Sequence, residues 1–156
     1  MKRFAEDMKR LAWLVAPYLI EAGVISKEEV AAYREGFLDL LESNDEKVKR
    51  FAWSIIPDLI RAGVISKEEV AAHKKGFLGL LKSNDKEVKA LAWLDVPYLI
   101  IRAGVISKEE VAAHKKGFLG LLKSNDKDTK RFAWSIIPDL IRAGVITKED
   151  QTSSPP

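Results

Sequence analysis

Two histidines, His73 and His114, hold equivalent places one sequence repeat apart, with Tyr33 at the corresponding place earlier in the chain. Imidazole is the commonest zinc ligand and the side chain that titrates nearest neutral pH, so this pair is the first place to look for metal or acid–base chemistry. Stacked helices lie about 8–10 Å apart, too far for two equivalent histidines to share a metal without further ligands. There is no cysteine to complete a site. Ser54 and Ser135 have no histidine at helical spacing, so no nucleophile, base and orienting group are grouped. Glu68-Glu69 and its copies read as helix-start charge, and Gly76 and Gly79 fall in mid-helix rather than in a phosphate loop. The expectation is no enzyme, no metal and no cofactor.

Charge offers a second kind of chemistry. Lys74-Lys75, Lys82, Lys86 and Lys89 recur as Lys115-Lys116, Lys123, Lys127 and Lys130, which could line basic rows along a nucleic-acid backbone. The net charge is only +3, and Glu35, Asp39 and Glu42 break the row in the first copy, so a solvated face is the favoured reading and nucleic acid the first alternative. Residues 1–45 carry six Lys/Arg against nine Asp/Glu, and residues 46–156 carry 20 against 14. Such asymmetry can steer an extended ligand or favour head-to-tail contacts. No apolar run approaches the roughly 20 residues that span a bilayer, and the charged start is unlike a secretory leader. A cytoplasmic protein with no membrane association is expected.

The elements that position these residues are copies of one another. Residues 49–65 recur letter for letter at 130–146, and residues 63–85 at 104–126. Trp13, Trp53, Trp93 and Trp134 mark the register, as do Pro17, Pro57, Pro97 and Pro138. The period is 40 residues, with one extra in the third unit. Repeats of this length signal stacked units that cannot bury their apolar faces alone.

Each unit reads as a helical hairpin. Ile65-Ser66-Lys67-Glu68-Glu69-Val70 places a capping box at Ser66 and Glu69 and a hydrophobic staple at Ile65 and Val70, opening a first arm that runs to about Leu81. Ser83-Asn84-Asp85 supplies the N-cap of the second arm, whose stripes Val48-Ala52-Ile55-Leu59 and Trp53-Ile56-Ile60 bury a wide arc. Gly63 closes it in a left-handed C′ conformation. Pro57 and its equivalents predict a kink in every copy, and Gly76 and Gly79 predict close helix crossings.

The run from Ser83 to Lys89, followed by Ala92 and repeated at Asn44-Asp45…Val48-Lys49, resembles the acidic turn, valine and basic residue that open the second helix of HEAT repeats. The chain departs from that family in placing proline in the second helix and Lys where Arg is usual. The resemblance and the repeat together imply an all-α, right-handed α-solenoid of stacked helical hairpins with seven helices. The expected layout is one domain over 1–150, with a lone helix at 1–22, hairpins at 26–63, 66–104 and 107–144, and a disordered tail at 151–156. HEAT proteins mostly serve as protein-binding scaffolds, so the resemblance implies a protein or peptide partner.

Positions that vary among the copies point to where such a partner would bind. Opposite the apolar arc stand Arg50, Ser54, Asp58 and Arg61 in the second copy, and Arg131, Ser135, Asp139 and Arg142 in the fourth. The first copy has Leu14 and Tyr18 there, and the third Leu94 and Tyr98. Leu and Tyr interleaved with Arg and Asp are typical of recognition surfaces. In the third copy Asp95 replaces an apolar residue and Ile100-Ile101 adds one residue. If a π-bulge beyond Pro97 absorbs the addition, Asp95 stays among apolar neighbours and needs a partner or a raised pKa.

The Thr147-Lys148-Glu149-Asp150 capping box starts a further arm that Gln151 to Pro156 abort, leaving Ile136, Ile137 and Leu140 without a cover. Self-association through an uncapped terminal helix, giving a homodimer, is one outcome; a piece of a longer array is another. The functional expectation is a non-catalytic repeat scaffold for protein–protein interaction. An engineered or recently amplified tandem with no evolved ligand would show the same verbatim copies.

Overall fold

The computed structural model describes residues 2–150, with side chains described from Met8 onward, and the tail expected to be disordered lies outside that range. Helix is the only regular structure among the described residues. α1 (Lys2–Glu21) stands alone. Three hairpins follow, each with a first and a second arm. In the first, α2 (Lys27–Ala31) and α3 (Arg34–Leu40) precede α4 (Glu46–Ser54) and α5 (Ile56–Arg61). The next joins α6 (Lys67–Ala71) and α7 (Lys74–Leu80) to α8 (Lys86–Pro97), which ends in a π-helical turn, Tyr98–Arg102. The last joins α9 (Lys108–Ala112) and α10 (Lys115–Leu122) to α11 (Lys127–Ser135) and α12 (Ile137–Arg142), and a 3₁₀ turn, Lys148–Asp150, closes the described chain.

Seven helices is therefore too few, for two separate reasons. Every first arm is broken after its opening turn and a half. His73 N–H bonds back to Val70 O and Gly76 N–H to His73 O, and these three-residue closures tighten the backbone between α6 and α7. No proline or glycine occupies Ala72 or His73, so the residue types gave no warning.

The second arms differ among themselves. Prolines were expected to kink every copy, yet α1 runs unbroken through Pro17 and α8 reaches Pro97, while the chain breaks at Ile55 and Ile136 in the other two copies. Those two copies carry serine. Ser54 Oγ donates to Phe51 O at 2.6 Å, and Ser135 Oγ to Phe132 O at 2.5 Å. Each hydroxyl takes the carbonyl that the residue at the break would otherwise bond, and the proline two residues on has no N–H to continue the ladder. Leu14 and Leu94 make no such claim.

Helix ends follow the expected chemistry. Capping boxes form at Ser26/Glu29, Ser66/Glu69 and Ser107/Glu110, and Asp45, Asp85 and Asp126 cap the second arms. Val64 N–H reaches back to Leu59 O across Gly63, which sits at φ 81°. The extra residue of the third copy is absorbed as Ala103 N–H bonds Tyr98 O, a five-residue closure beyond Pro97.

The joints between units repeat. Trp53 Nε1 donates to Leu41 O at 3.0 Å while its ring tilts onto Phe77, with centroids 5.5 Å apart. Trp93 does the same with Leu81 O at 3.3 Å and Phe118 at 5.4 Å. Gly76 faces the same Leu41 carbonyl so closely that a Cβ there would collide with it, and a Cβ on Gly117 would lie 2.9 Å from Leu81 O. One carbonyl thus meets the indole of its own hairpin and the glycine of the next. Gly79 and Gly120 meet nothing within 4 Å, so only the first glycine of each pair marks a close crossing. In the last unit α10 runs on to Leu122, and Trp134 Nε1 is buried without a hydrogen-bond partner.

The end expected to be uncovered is covered. Ile136 is 4% exposed and Leu140 0%, because α12 packs against α8, and Val145 and Ile146 fold back into the same core. Uncovered apolar surface lies at the opposite end.

Candidate interaction surface

Of the ten large apolar side chains exposed among the described residues, eight fall between Met8 and Tyr33. Met8, Leu11, Val15 and Leu19 recur along α1 at three- and four-residue intervals, a helical stripe of the kind that elsewhere in the chain is buried. Trp13 tilts onto Phe37 with centroids 5.0 Å apart and so carries α1 onto α3. Beside this contact lies an open groove of ≈ 890 Å³ between α1, α2, α3 and the start of α4. Its walls include Trp13, Leu19, Val30 and Leu40, with Glu29, Tyr33 and Gly36 along one side.

The stripe read from the varying positions is heterogeneous. Leu14 and Tyr18 belong to the exposed patch, with Tyr18 63% exposed. Tyr98 is 46% exposed and lies under the Arg102 guanidinium, 5.9 Å from the ring centroid, while Leu94 is half-buried against the core. Ser54 and Ser135 are spent on backbone carbonyls. Asp58 pairs with Arg61 at 3.0 Å and Asp139 with Arg142 at 3.1 Å, each within one helix turn. Arg131 is exposed, 4.0 Å from Asp128.

Arg50 turns inward and is half-buried. Its guanidinium reaches Asp95 Oδ2 at 3.4 Å, joining α4 to α8. Asp95 is 9% exposed among apolar neighbours, and burial pushes its carboxyl up to about 7 even though Arg50 pulls it back down.

A second set of contacts runs between successive first arms, and sequence reasoning missed it. Arg34 Nε lies 3.1 Å from Glu69, Lys74 Nζ 2.8 Å from Glu110, and Lys115 Nζ 3.3 Å from Asp150. In each case the cation opens the second half of one arm and the acid closes the capping box of the next. Lys74 holds the Glu110 carboxyl below its usual range, helped by the Ser107 backbone N–H. For Glu29 the lowering comes from Ser26 alone. Among the described residues no cation pairs with Glu29, the first acid of the series. The pattern was available in the sequence as Arg34, Lys74 and Lys115 at a constant offset from Ser26, Ser66 and Ser107. Two lysines of the proposed basic rows are thereby engaged inside the molecule. Glu42 and Lys82 end their arms beside the following His73 and His114; Glu42 Oε2 stands 3.0 Å from His73 Nδ1, whereas burial and the neighbouring Lys82 both lower the pKa of His114.

No group of three or more His, Asp or Glu among the described residues is placed to hold a metal ion, and no helix there is long and apolar enough to cross a membrane. Comparison with known proteins finds no matching family model, no matching curated protein and no matching solved structure.

Proposed function

We propose that the chain is a non-catalytic, HEAT-like right-handed α-solenoid that acts in the cytoplasm as a scaffold for protein–protein interaction. The observation that carries this reading is the concentration of exposed apolar side chains on α1 and the groove beside it, while the rest of the described surface is almost free of them. Contiguous apolar surface of that kind is unfavourable in water unless something covers it. Leu14 and Tyr18 are the part of the varying stripe that joins this patch, and Tyr98 with Arg102 forms a smaller outlying one.

Selection from a helix-biased peptide library tests the proposal. Peptides enriched on the unaltered protein should lose binding to a Leu14→Ala/Tyr18→Ala variant whose melting temperature is unchanged. Failure to enrich any peptide, or enrichment indifferent to both substitutions, would overturn it.

A further inference from the structure

Within the chain, three features seat each first arm, one against its own second arm and two against the next hairpin. A cation of the arm meets the capping-box acid of the following arm, as Lys74 meets Glu110. The carbonyl of the leucine seven residues later accepts from the second-arm indole, as Leu81 O accepts from Trp93. That carbonyl also faces the following glycine, as Leu81 O faces Gly117. At the α1 end the receiving halves of all three are present with no arm against them among the described residues. Among the described residues Glu29 has no cation, Trp13 stands where Trp93 stands, and nothing lies within 4 Å of a Cβ on Gly36. All three line the one groove.

We propose that this groove binds an amphipathic helix of another polypeptide, carrying a Lys or Arg seven residues before a leucine whose carbonyl ends the helix. The spacing is that of Arg34 to Leu41, Lys74 to Leu81 and Lys115 to Leu122. Lys9 and Arg10 line the groove as well as Glu29 and Asp45, so the charge requirement is local: one cation of the docked helix opposite Glu29, the acid left over from the inter-arm series. The phenylalanine of the internal arms is not required, because Phe77 and Phe118 turn to the preceding tryptophan rather than the following arm. The inference rests on the scaffold reading and supplies the chemistry of its partner.

The probe is a synthetic peptide spanning residues 66–82 of this chain, titrated calorimetrically into the whole protein. Saturable binding of one peptide per chain is expected, with the indole ¹⁵N–¹H signal of Trp13 shifting most. Gly36→Leu fills the seat in open space and should weaken binding roughly tenfold or more. Glu29→Lys should weaken it roughly fivefold, and Lys74→Glu in the peptide should restore it to that variant. No saturable binding, or binding indifferent to Gly36→Leu and Glu29→Lys alike, overturns the proposal. So does a concentration-dependent dimer that Gly36→Leu dissolves, which would make a second copy the occupant. If the probe fails while library peptides of another pattern still depend on Leu14 and Tyr18, the partner chemistry falls and the scaffold reading stands.

Discussion

Asp95 is the residue whose ionisation matters most to stability. Burial raises its carboxyl from the ordinary 3.8 to about 7 in the fold, so the folded chain binds more protons than the unfolded one between those values. The contribution of Asp95 to stability therefore falls as pH rises from about 4 to 7, and its loss is complete above the folded value, while His114, its pKa lowered by burial, contributes in the opposite sense. Asp95→Asn should flatten that window and raise stability at pH 8 by about 2 to 4 kcal/mol. Melting curves of wild type and variant at pH 5 and pH 8 check both claims; an advantage of the variant that is no larger at pH 8 would contradict them. The need for a partner was legible in the sequence, because Asp95 replaces Val15, Ile55 and Ile136 at an apolar position. Its identity was not: Arg50 lies 45 residues away and shares a helical stripe with exposed residues, so periodicity assigned it to solvent.

The same scale separates two kinds of glycine. Gly76→Ala should destabilise the chain severely, because the new methyl has backbone rather than a yielding side chain in front of it. Gly36→Ala, at the equivalent place in open space, should stabilise by about 1 kcal/mol through helix propensity. Denaturant unfolding of the two variants gives the comparison directly. Equal effects would mean that the carbonyl crossing has room for a methyl group.

Elements begin and end where the side chains require. Ser66 with Glu69 and the glycine after each second arm could be read from sequence because capping chemistry is local. Interruptions within the arms could not. Between α6 and α7 the backbone tightens with no breaker residue present, so periodicity alone continues the helix from Val70 to Leu81. In the second arms the sequence did carry the signal, but its meaning was structural: the exchange of Leu for Ser decides whether the chain breaks before proline. Ser54→Leu should join α4 to α5. Protection of the Ile55 amide from hydrogen exchange should rise towards that of Asp95, its counterpart in the unbroken copy, and an amide that exchanges as before would remove the serine from the explanation.

At the scale of the whole molecule the two ends are unequal. The α12 end is closed by its own valines and isoleucines, while the α1 end keeps an apolar stripe and a groove in water. Sequence patterning placed the open flank at the wrong end because it counted missing arms and could not see α12 turning its isoleucines onto α8. Light scattering against concentration separates the remaining outcomes for α1. A single mass across the concentration range is expected if the groove awaits another polypeptide, and Leu11→Lys should leave that mass unchanged. A dimer abolished by Leu11→Lys would show that the patch is self-complementary.

The ion pairs between first arms give the chain a polarity. Every unit presents a positive group on one side and a negative group on the other, always in the same order, so the pairs favour joining in one sense. A unit inserted in reverse would set acid against acid. Lengthening such a tandem adds one complementary contact per unit and leaves the terminal groups as they were, much as a chain of magnets keeps one north and one south pole whatever its length. Whatever docks beside Glu29 is therefore selected by the same test that orders the units themselves.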